Sequence, residues 1–162
     1  MTYFHEKQAH EVLNICRQKG LLLTTVESCT GGLIAASLTN IAGSSDVFDC
    51  GFVVYSNESK TRLVSVCAEL IKNYGAVSKE VALAMAEGGL KHSQADIAVS
   101  VTGIVGPGGA SLNKPVGLVH CAIAYKNHSP LHKEMHFNHL DRKAIRYATV
   151  EHALQMILKR LH

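Results

Sequence analysis

The pattern of apolar and polar residues along the chain predicts helices and strands that alternate. Apolar residues at helical spacing predict an amphipathic helix over residues 5–19, and Asp141 is predicted to cap a final helix that ends at Leu161. Further helices are predicted over residues 33–41, 56–66, 68–74 and 79–92. Short apolar runs rich in β-branched residues predict strands over residues 21–26, 47–55, 96–101, 116–125 and 131–137.

These elements predict an α/β fold, and within that class a three-layer α/β/α sandwich around a mixed, mostly parallel sheet. Residues 126–130 read as a hairpin turn, so the last two strands are expected to be antiparallel. The glycine-rich stretch 103–115 is predicted to be a long loop, and long loops in compact domains are often functional. The sequence shows no internal repeat and no linker, so residues 1–162 are predicted to form one domain.

Composition and charge exclude several classes of protein. The 162 residues are 47% hydrophobic and 18% charged, which is ordinary for a soluble globular protein. A net charge of +3 is too small to argue for a nucleic-acid partner. No apolar run has the length of a membrane span and the polar start is unlike a signal peptide, so a cytoplasmic protein without a membrane partner is expected. Five cysteines without a CxxC pair predict reduced thiols and no cysteine-based zinc site.

Small and hydroxylated residues cluster at the turn between the first predicted strand and the helix that follows. Ser28, Cys29 and Thr30 precede two glycines, Gly31 and Gly32, which would let a ligand approach the backbone closely. The first amides of a helix have no intrahelical partner, so this turn is predicted to favour an anion or a developing oxyanion. In the alternative interpretation, Thr30 is only an N-cap and the glycines only form a turn.

Three loops follow apolar strands, and they would meet at one site if those strands are parallel. They are the loop around Ser28, the loop from Tyr55 to Lys60 and the loop 102–109. A serine hydroxyl needs a base, and a desolvated lysine can serve, so Ser28 and Lys60 are a candidate pair that Tyr55 could orient or assist as a proton relay. The alternatives are a solvated surface lysine and a tyrosine at the edge of the core.

Cys29 is the rival nucleophile, because a thiol at a helix N-terminus is expected to have a depressed pKa. Ser28 is preferred over it, since the sequence offers Cys29 no histidine partner.

Weaker signals lie elsewhere in the chain. Arg142 and Arg146 are one helical turn apart and could reach a phosphate, or they could simply form a solvated face. The residues His132, Glu134 and His136 alternate on one strand, but no fourth ligand is evident, so no metal site is predicted there.

Several blocks resemble the CinA carboxy-terminal domain family. They occur in the family's order and cover nearly the whole chain: ESCTGG (27–32), residues 42–60, GAVSKEVALAMAEG (75–88), VTGIVGPGG (101–109) and KPVGLV (114–119). The larger amino-terminal domain of many such proteins is absent from this sequence, so the stand-alone nicotinamide-nucleotide amidohydrolase form of the family is expected. Segments 110–113 and 137–140 depart from the family's pattern.

The resemblance implies deamidation of nicotinamide mononucleotide to nicotinate mononucleotide and ammonia, in pyridine nucleotide salvage. It implies that Ser28 is the nucleophile and Lys60 the general base, with Tyr55 assisting and the amides of residues 29–32 stabilising the oxyanion. Predicted substrate-binding residues are Cys29, Thr30, Gly31, Gly32, Gly51, Thr102, Gly103, Gly106 and Arg142.

No cofactor or metal is expected, the partner is a small nucleotide, and small enzymes of this kind are often homo-oligomers. Two other classes stay open from the sequence: a silent nucleotide-binding module and a Cys29-based thiol enzyme.

Overall fold

The computed structural model describes residues 5–162, and its centre is a five-stranded sheet with the strand order β2-β1-β3-β4-β5. The strands are β1 (Leu23–Glu27), β2 (Phe48–Val53), β3 (Ile97–Gly103), β4 (Leu118–Tyr125) and β5 (Leu131–His136). β1 is parallel to both β2 and β3, whereas β4 is antiparallel to β3 and to β5. Four strands therefore run in one direction and β4 in the other, which confirms the mixed sheet and the predicted hairpin.

Helices cover both faces of this sheet. They are α1 (Glu6–Lys19), α2 (Leu33–Thr39), α3 (Asn57–Val64), α4 (Ala68–Tyr74), α5 (Lys79–Lys91) and α6 (Arg142–Leu161), with a 3₁₀ turn at Ser44–Asp46. α1, α2 and α6 pack together on one face, and α3, α4 and α5 pack together on the other. The predicted three-layer sandwich is confirmed.

Side-chain caps explain why three of the helices begin where the sequence predicts. The side-chain oxygens of Ser56, Ser78 and Asp141 accept hydrogen bonds from backbone N–H groups three residues further on, at the starts of α3, α5 and α6. Each cap satisfies a helix amide that would otherwise lack a partner. The first turn of α3, which carries Lys60, is therefore fixed by a local signal.

The core lies on both sides of β1 and β3. Every residue of β1 is buried, as are nearly all residues of β3, which is typical of strands covered by helices on two faces. Under α5, four alanines allow the helix to approach the sheet closely: Ala82, Ala86, Ala122 and Ala124. Within residues 5–162, no helix combines the length and apolar character that crossing a lipid bilayer requires.

Gly88 marks the tightest helix contact, between α5 and the end of α3. A Cβ at Gly88 would overlap the carbonyl group of Val64, whose carbon would lie 2.9 Å away. Helix propensity alone favours Gly88→Ala, but the overlap forces the two helices apart, so we expect a loss of about 3 kcal/mol in the free energy of unfolding.

Chemical denaturation measures this loss, with Gly108→Ala as the control because a Cβ at Gly108 meets no atom within 4 Å. A Gly88→Ala variant as stable as the control would contradict the tight contact.

Candidate active site

The loops that follow β1, β2 and β3 meet at one edge of the sheet and enclose a small pocket. Its volume is about 190 Å³. The lining residues are Ser28, Cys29, Tyr55, Asn57, Lys60, Ala76, Val77, Thr102, Gly103 and Val105. Because all three strands run in the same direction, their carboxyl ends form the kind of crevice that binds ligands in α/β folds.

Ser28 and Lys60 lie in contact at the floor of this pocket. Lys60 Nζ is 3.1 Å from Ser28 Oγ, 2.9 Å from the Val54 carbonyl oxygen and 3.2 Å from the Tyr55 carbonyl oxygen. Only 1% of Lys60 and 8% of Ser28 is exposed to solvent. The alternative of a solvated surface lysine is therefore wrong.

The surroundings of Lys60 favour the neutral amine. Burial lowers its pKa from the ordinary lysine value, more than the neighbouring Cys29 and Glu58 raise it. Among the described residues no carboxylate oxygen lies within ion-pair distance of Lys60 Nζ. A neutral amine has two hydrogens, which the two carbonyl oxygens accept, and its lone pair then faces Ser28 Oγ. Lys60 as an ammonium donates to Ser28 Oγ, and as a neutral amine it can accept the Ser28 hydroxyl proton over the same 3.1 Å, which is the geometry that a general base requires.

A buried carboxylate, Glu27, holds the turn from beneath. Its oxygens accept four hydrogen bonds, from the hydroxyls of Thr25 (3.3 Å) and Thr30 (2.6 Å) and from the backbone N–H groups of Ile34 (2.8 Å) and Ala35 (3.0 Å). Glu27 is fully buried, and it lies directly before Ser28 in the chain. The carboxylate therefore caps α2 and fixes the turn that presents the serine.

This arrangement corrects two sequence-based interpretations. The first helical amides are not free for an anion, because those of Ile34 and Ala35 donate to Glu27. Thr30 is not an N-cap either, since its hydroxyl donates to the same carboxylate. Thr30 is also fully buried, and the Gly31 N–H donates to the Ser28 carbonyl oxygen.

Of the amides of residues 29–32, only that of Gly31 donates to another described residue, and among the other three residues Cys29 is the one that lines the pocket. Because the Cys29 N–H has no acceptor in any other described residue, it can donate to an oxyanion.

The thiol of Cys29 is a poor candidate nucleophile. Burial raises its pKa to about 12, which overturns the expectation that the helix N-terminus depresses it. The thiol is 4% exposed, and no histidine is among the residues that line the pocket. At neutral pH this cysteine is a buried thiol, not a thiolate.

Tyr55 contacts Lys60 through its backbone and not through its phenol. The ring is 60% exposed, and its hydroxyl accepts a hydrogen bond from Arg142 Nη2 at 3.1 Å. Arg142 Nη1 also donates to the carbonyl oxygen of Gly106 at 2.7 Å, so it joins the tyrosine to the glycine-rich loop. The structure does not bring the Tyr55 hydroxyl to Lys60, as a proton relay would require.

The other predicted substrate-binding residues are divided between the pocket and its supports. Thr102 and Gly103 line the pocket, and the Thr102 hydroxyl donates to the Ala76 carbonyl oxygen at 2.9 Å. Gly51 lies in β2, where its backbone packs against the side chains of Thr25 and Ala35, an approach that the lack of a Cβ permits. Six of the predicted substrate-binding residues are not among the lining residues: Thr30, Gly31, Gly32, Gly51, Gly106 and Arg142.

Sequence reasoning missed four lining residues, Asn57, Ala76, Val77 and Val105. They lie inside the recognised blocks 42–60, 75–88 and 101–109. The alanine and the two valines are small and apolar and carried no chemical signal, and Asn57 was assigned only to the start of a predicted helix.

The histidines of β4 and β5 form a separate cluster. His120 Nδ1 and His132 Nε2 are 2.9 Å apart, and Glu134 pairs with His136 at 2.7 Å. Residues 5–162 contain no group of three or more His, Cys, Asp or Glu side chains placed to hold a metal ion.

A larger groove, of about 480 Å³, lies between α3 and α4 and adjoins the pocket at Asn57. Its lining includes neither Ser28 nor Lys60, which both lie in the smaller pocket.

Comparison with known proteins places the chain and its fold in a family. Residues 5–161 match the family model of the CinA C-terminal domain. The chain belongs to this family. A competence-damage inducible protein of Caldicellulosiruptor saccharolyticus is 50% identical over 148 residues, which are 91% of this chain and 36% of that protein. The chain thus spans about a third of the length of the curated relatives it matches.

Solved structures of CinA-family chains resemble it over nearly their whole length. The competence/damage inducible protein CihA of Agrobacterium tumefaciens has a TM-score of 0.95 and 48% identity, with 98% of both chains covered. A competence damage-inducible protein A of Klebsiella pneumoniae subsp. pneumoniae has a TM-score of 0.93 and 33% identity, again with 98% of both chains covered. Family membership and the α/β fold are confirmed.

The four hydrogen bonds that Glu27 accepts make this support of the turn sensitive to a change of one atom. Glu27→Gln replaces an acceptor oxygen by an NH₂ group that faces donors, so we expect a loss of about 1.5–3 kcal/mol in the free energy of unfolding. Urea denaturation measures it, with Glu87→Gln on the exposed surface of α5 as the control. If both variants have the same stability, Glu27 does not hold the turn.

Proposed function

We propose that this CinA-family chain is an amidohydrolase that converts nicotinamide mononucleotide into nicotinate mononucleotide and ammonia. The observation that carries the proposal is the 3.1 Å contact between Lys60 Nζ and Ser28 Oγ in a buried pocket without a competing carboxylate. The resemblance of the surrounding blocks to the family supplies the substrate. Five free cysteines suit the reducing cytoplasm, where we place this step of pyridine nucleotide salvage.

In the first half of the reaction, Ser28 Oγ attacks the carboxamide carbon while its proton moves to Lys60 Nζ. The negative charge that develops on the amide oxygen is stabilised by the Cys29 N–H, a contribution of about 3–4 kcal/mol for a donor of this kind. The tetrahedral intermediate collapses when the C–N bond breaks, and Lys60 returns the proton to the leaving nitrogen, which departs as ammonia.

In the second half, water hydrolyses the acyl-serine. Lys60, neutral again, takes a proton from the water as its oxygen attacks the carbonyl carbon. Collapse of this second intermediate breaks the bond to Ser28 Oγ, which regains a proton from Lys60, and the product is released as a carboxylic acid that loses its proton to solvent. The reaction as proposed uses no metal and no cofactor, because the nucleophile and the base are both side chains.

The size of the pocket supports a small amide as the reacting group. Its volume of about 190 Å³ lies below the roughly 300–1,000 Å³ that is usual for a whole ligand of drug size. The pocket therefore suits the ring that bears the amide, and the rest of a nucleotide would extend beyond the mouth. The adjoining groove at Asn57 offers one place for it.

Release of ammonia from nicotinamide mononucleotide tests the proposal. We expect the wild type to release ammonia and nicotinate mononucleotide in the presence of chelator, and Ser28→Ala to lose nearly all of this activity. Ser45→Ala, a change of an exposed serine, is the control and should be fully active.

Substrate binding without ammonia release by the wild type would make the chain a silent nucleotide-binding module. Full activity of Ser28→Ala would remove Ser28 from the mechanism. Loss of activity on selective alkylation of Cys29 in that variant would identify a thiol enzyme.

The pH dependence of kcat tests the role of Lys60. Because the neutral amine is the base and burial lowers its pKa, kcat should rise with pH and level off below the ordinary pKa of lysine. Lys60→Arg should lose about 10²–10⁴-fold in kcat, since a guanidinium stays protonated. A wild-type profile that is flat from pH 5 to pH 10 would contradict a lysine base, whatever the substrate.

A further inference from the structure

The guanidinium of Arg146 binds the turn that carries Ser28 and not a carboxylate. Its Nε donates to the carbonyl oxygen of Cys29 at 3.1 Å, and its Nη2 donates to the carbonyl oxygen of Thr30 at 3.0 Å. No aspartate or glutamate among residues 5–162 forms an ion pair with it. Arg146, on α6, thus binds two consecutive peptide groups in the turn that carries Ser28.

These peptide groups have few other anchors. The Cys29 carbonyl oxygen accepts no second hydrogen bond from the described residues, and that of Thr30 accepts only one more, from the Leu33 N–H at 3.2 Å. The next two residues, Gly31 and Gly32, have φ angles of 60° and 104°, which glycine adopts easily. Glu27 holds the Thr30 side chain, but among the described residues the guanidinium is the only hydrogen-bond partner of the peptide group between Cys29 and Thr30.

We propose that Arg146 is a positioning residue for the reaction, one that holds the Cys29–Thr30 peptide so that Ser28 Oγ and the Cys29 N–H keep their places at the pocket. This inference rests on the proposed function. Displacing a reacting group by 1 Å can cost about 10²-fold in rate. A glycine at position 31 leaves room for this guanidinium, because a Cβ there would lie only 3.3 Å from Arg146 Nη2.

The geometry favours this role over phosphate binding, the role considered from the sequence. Two nitrogens of the Arg146 guanidinium already donate to backbone carbonyls. A phosphate would have to replace one of these carbonyls as acceptor or bind the remaining nitrogen. Arg146 is also not among the residues that line the pocket. Its influence on the reaction therefore passes through the turn, which predicts an effect on kcat and not on KM.

Arg146→Gln tests the inference, with Arg160→Gln as the matched control. Arg160 lies on the same helix, about 20 Å further along it, and its Nη2 also donates to a backbone carbonyl, that of Ser129, at 3.2 Å. We expect Arg146→Gln to lower kcat by about 10²-fold, with KM changed less than about twofold. The midpoint of thermal denaturation should fall no more than in the control, and Arg146→Lys should recover part of kcat.

A second measurement is independent of the nucleotide substrate. The rate at which p-nitrophenyl acetate acylates Ser28, followed by mass spectrometry, should fall in Arg146→Gln by a factor similar to that of kcat. Unchanged kcat and acylation rates with a lowered denaturation midpoint would show a purely structural role and overturn the inference. A higher KM with an unchanged acylation rate would make Arg146 a substrate contact, which also overturns it.

The two proposals fail in different ways. If the wild type is acylated at Ser28 but releases no ammonia from nicotinamide mononucleotide, the proposed substrate fails, while the acylation rates still decide the role of Arg146. A wild type whose Ser28 is not acylated would overturn both.

Discussion

The site depends on one constraint, the burial of a lysine amine among oxygen atoms that carry no formal charge. An ammonium group here loses its hydration, and the partners of Lys60 Nζ among residues 5–162 are two backbone carbonyls and the hydroxyl of Ser28. Because burial disfavours the charged form, the lysine can act as a base only if this environment stays intact. The end of β2, the first turn of α3 and the turn after β1 must therefore hold their relative positions.

A buried carboxyl group, that of Glu27, lies next to Ser28 in sequence without pairing with the lysine. All four of its hydrogen bonds come from Thr25, Thr30 and the first turn of α2. A carboxylate in contact with Lys60 would favour the ammonium and remove the base. Because neutral donors satisfy the carboxyl group of Glu27, this group does not pair with the amine of Lys60.

Local signals made the helices and the contact between Ser28 and Lys60 predictable. Caps at Ser56 and Ser78 fixed helix starts, and the blocks around Ser28 and Lys60 identified the pair. The groups that hold this pair in place were not predictable, because they make backbone or long-range contacts. Lys60, for example, contacts the carbonyl oxygen of Tyr55, whereas the sequence suggested a contact with its phenol. Arg146 could be placed on a helix face from spacing, but its partners, 116 and 117 residues away in the chain, depend on how α6 packs.

The residues that form these contacts are far apart in the sequence, and this separation determines when the site can form during folding. Lys60 and Ser28 are 32 residues apart, and the contacts of α6 with the site span 36 to 117 residues. Contacts between distant parts of a chain require long loops to close first, and such topologies fold more slowly than local ones. The complete arrangement around Ser28 therefore cannot form within one short segment of this chain, because it joins the turn after the first strand to the last helix.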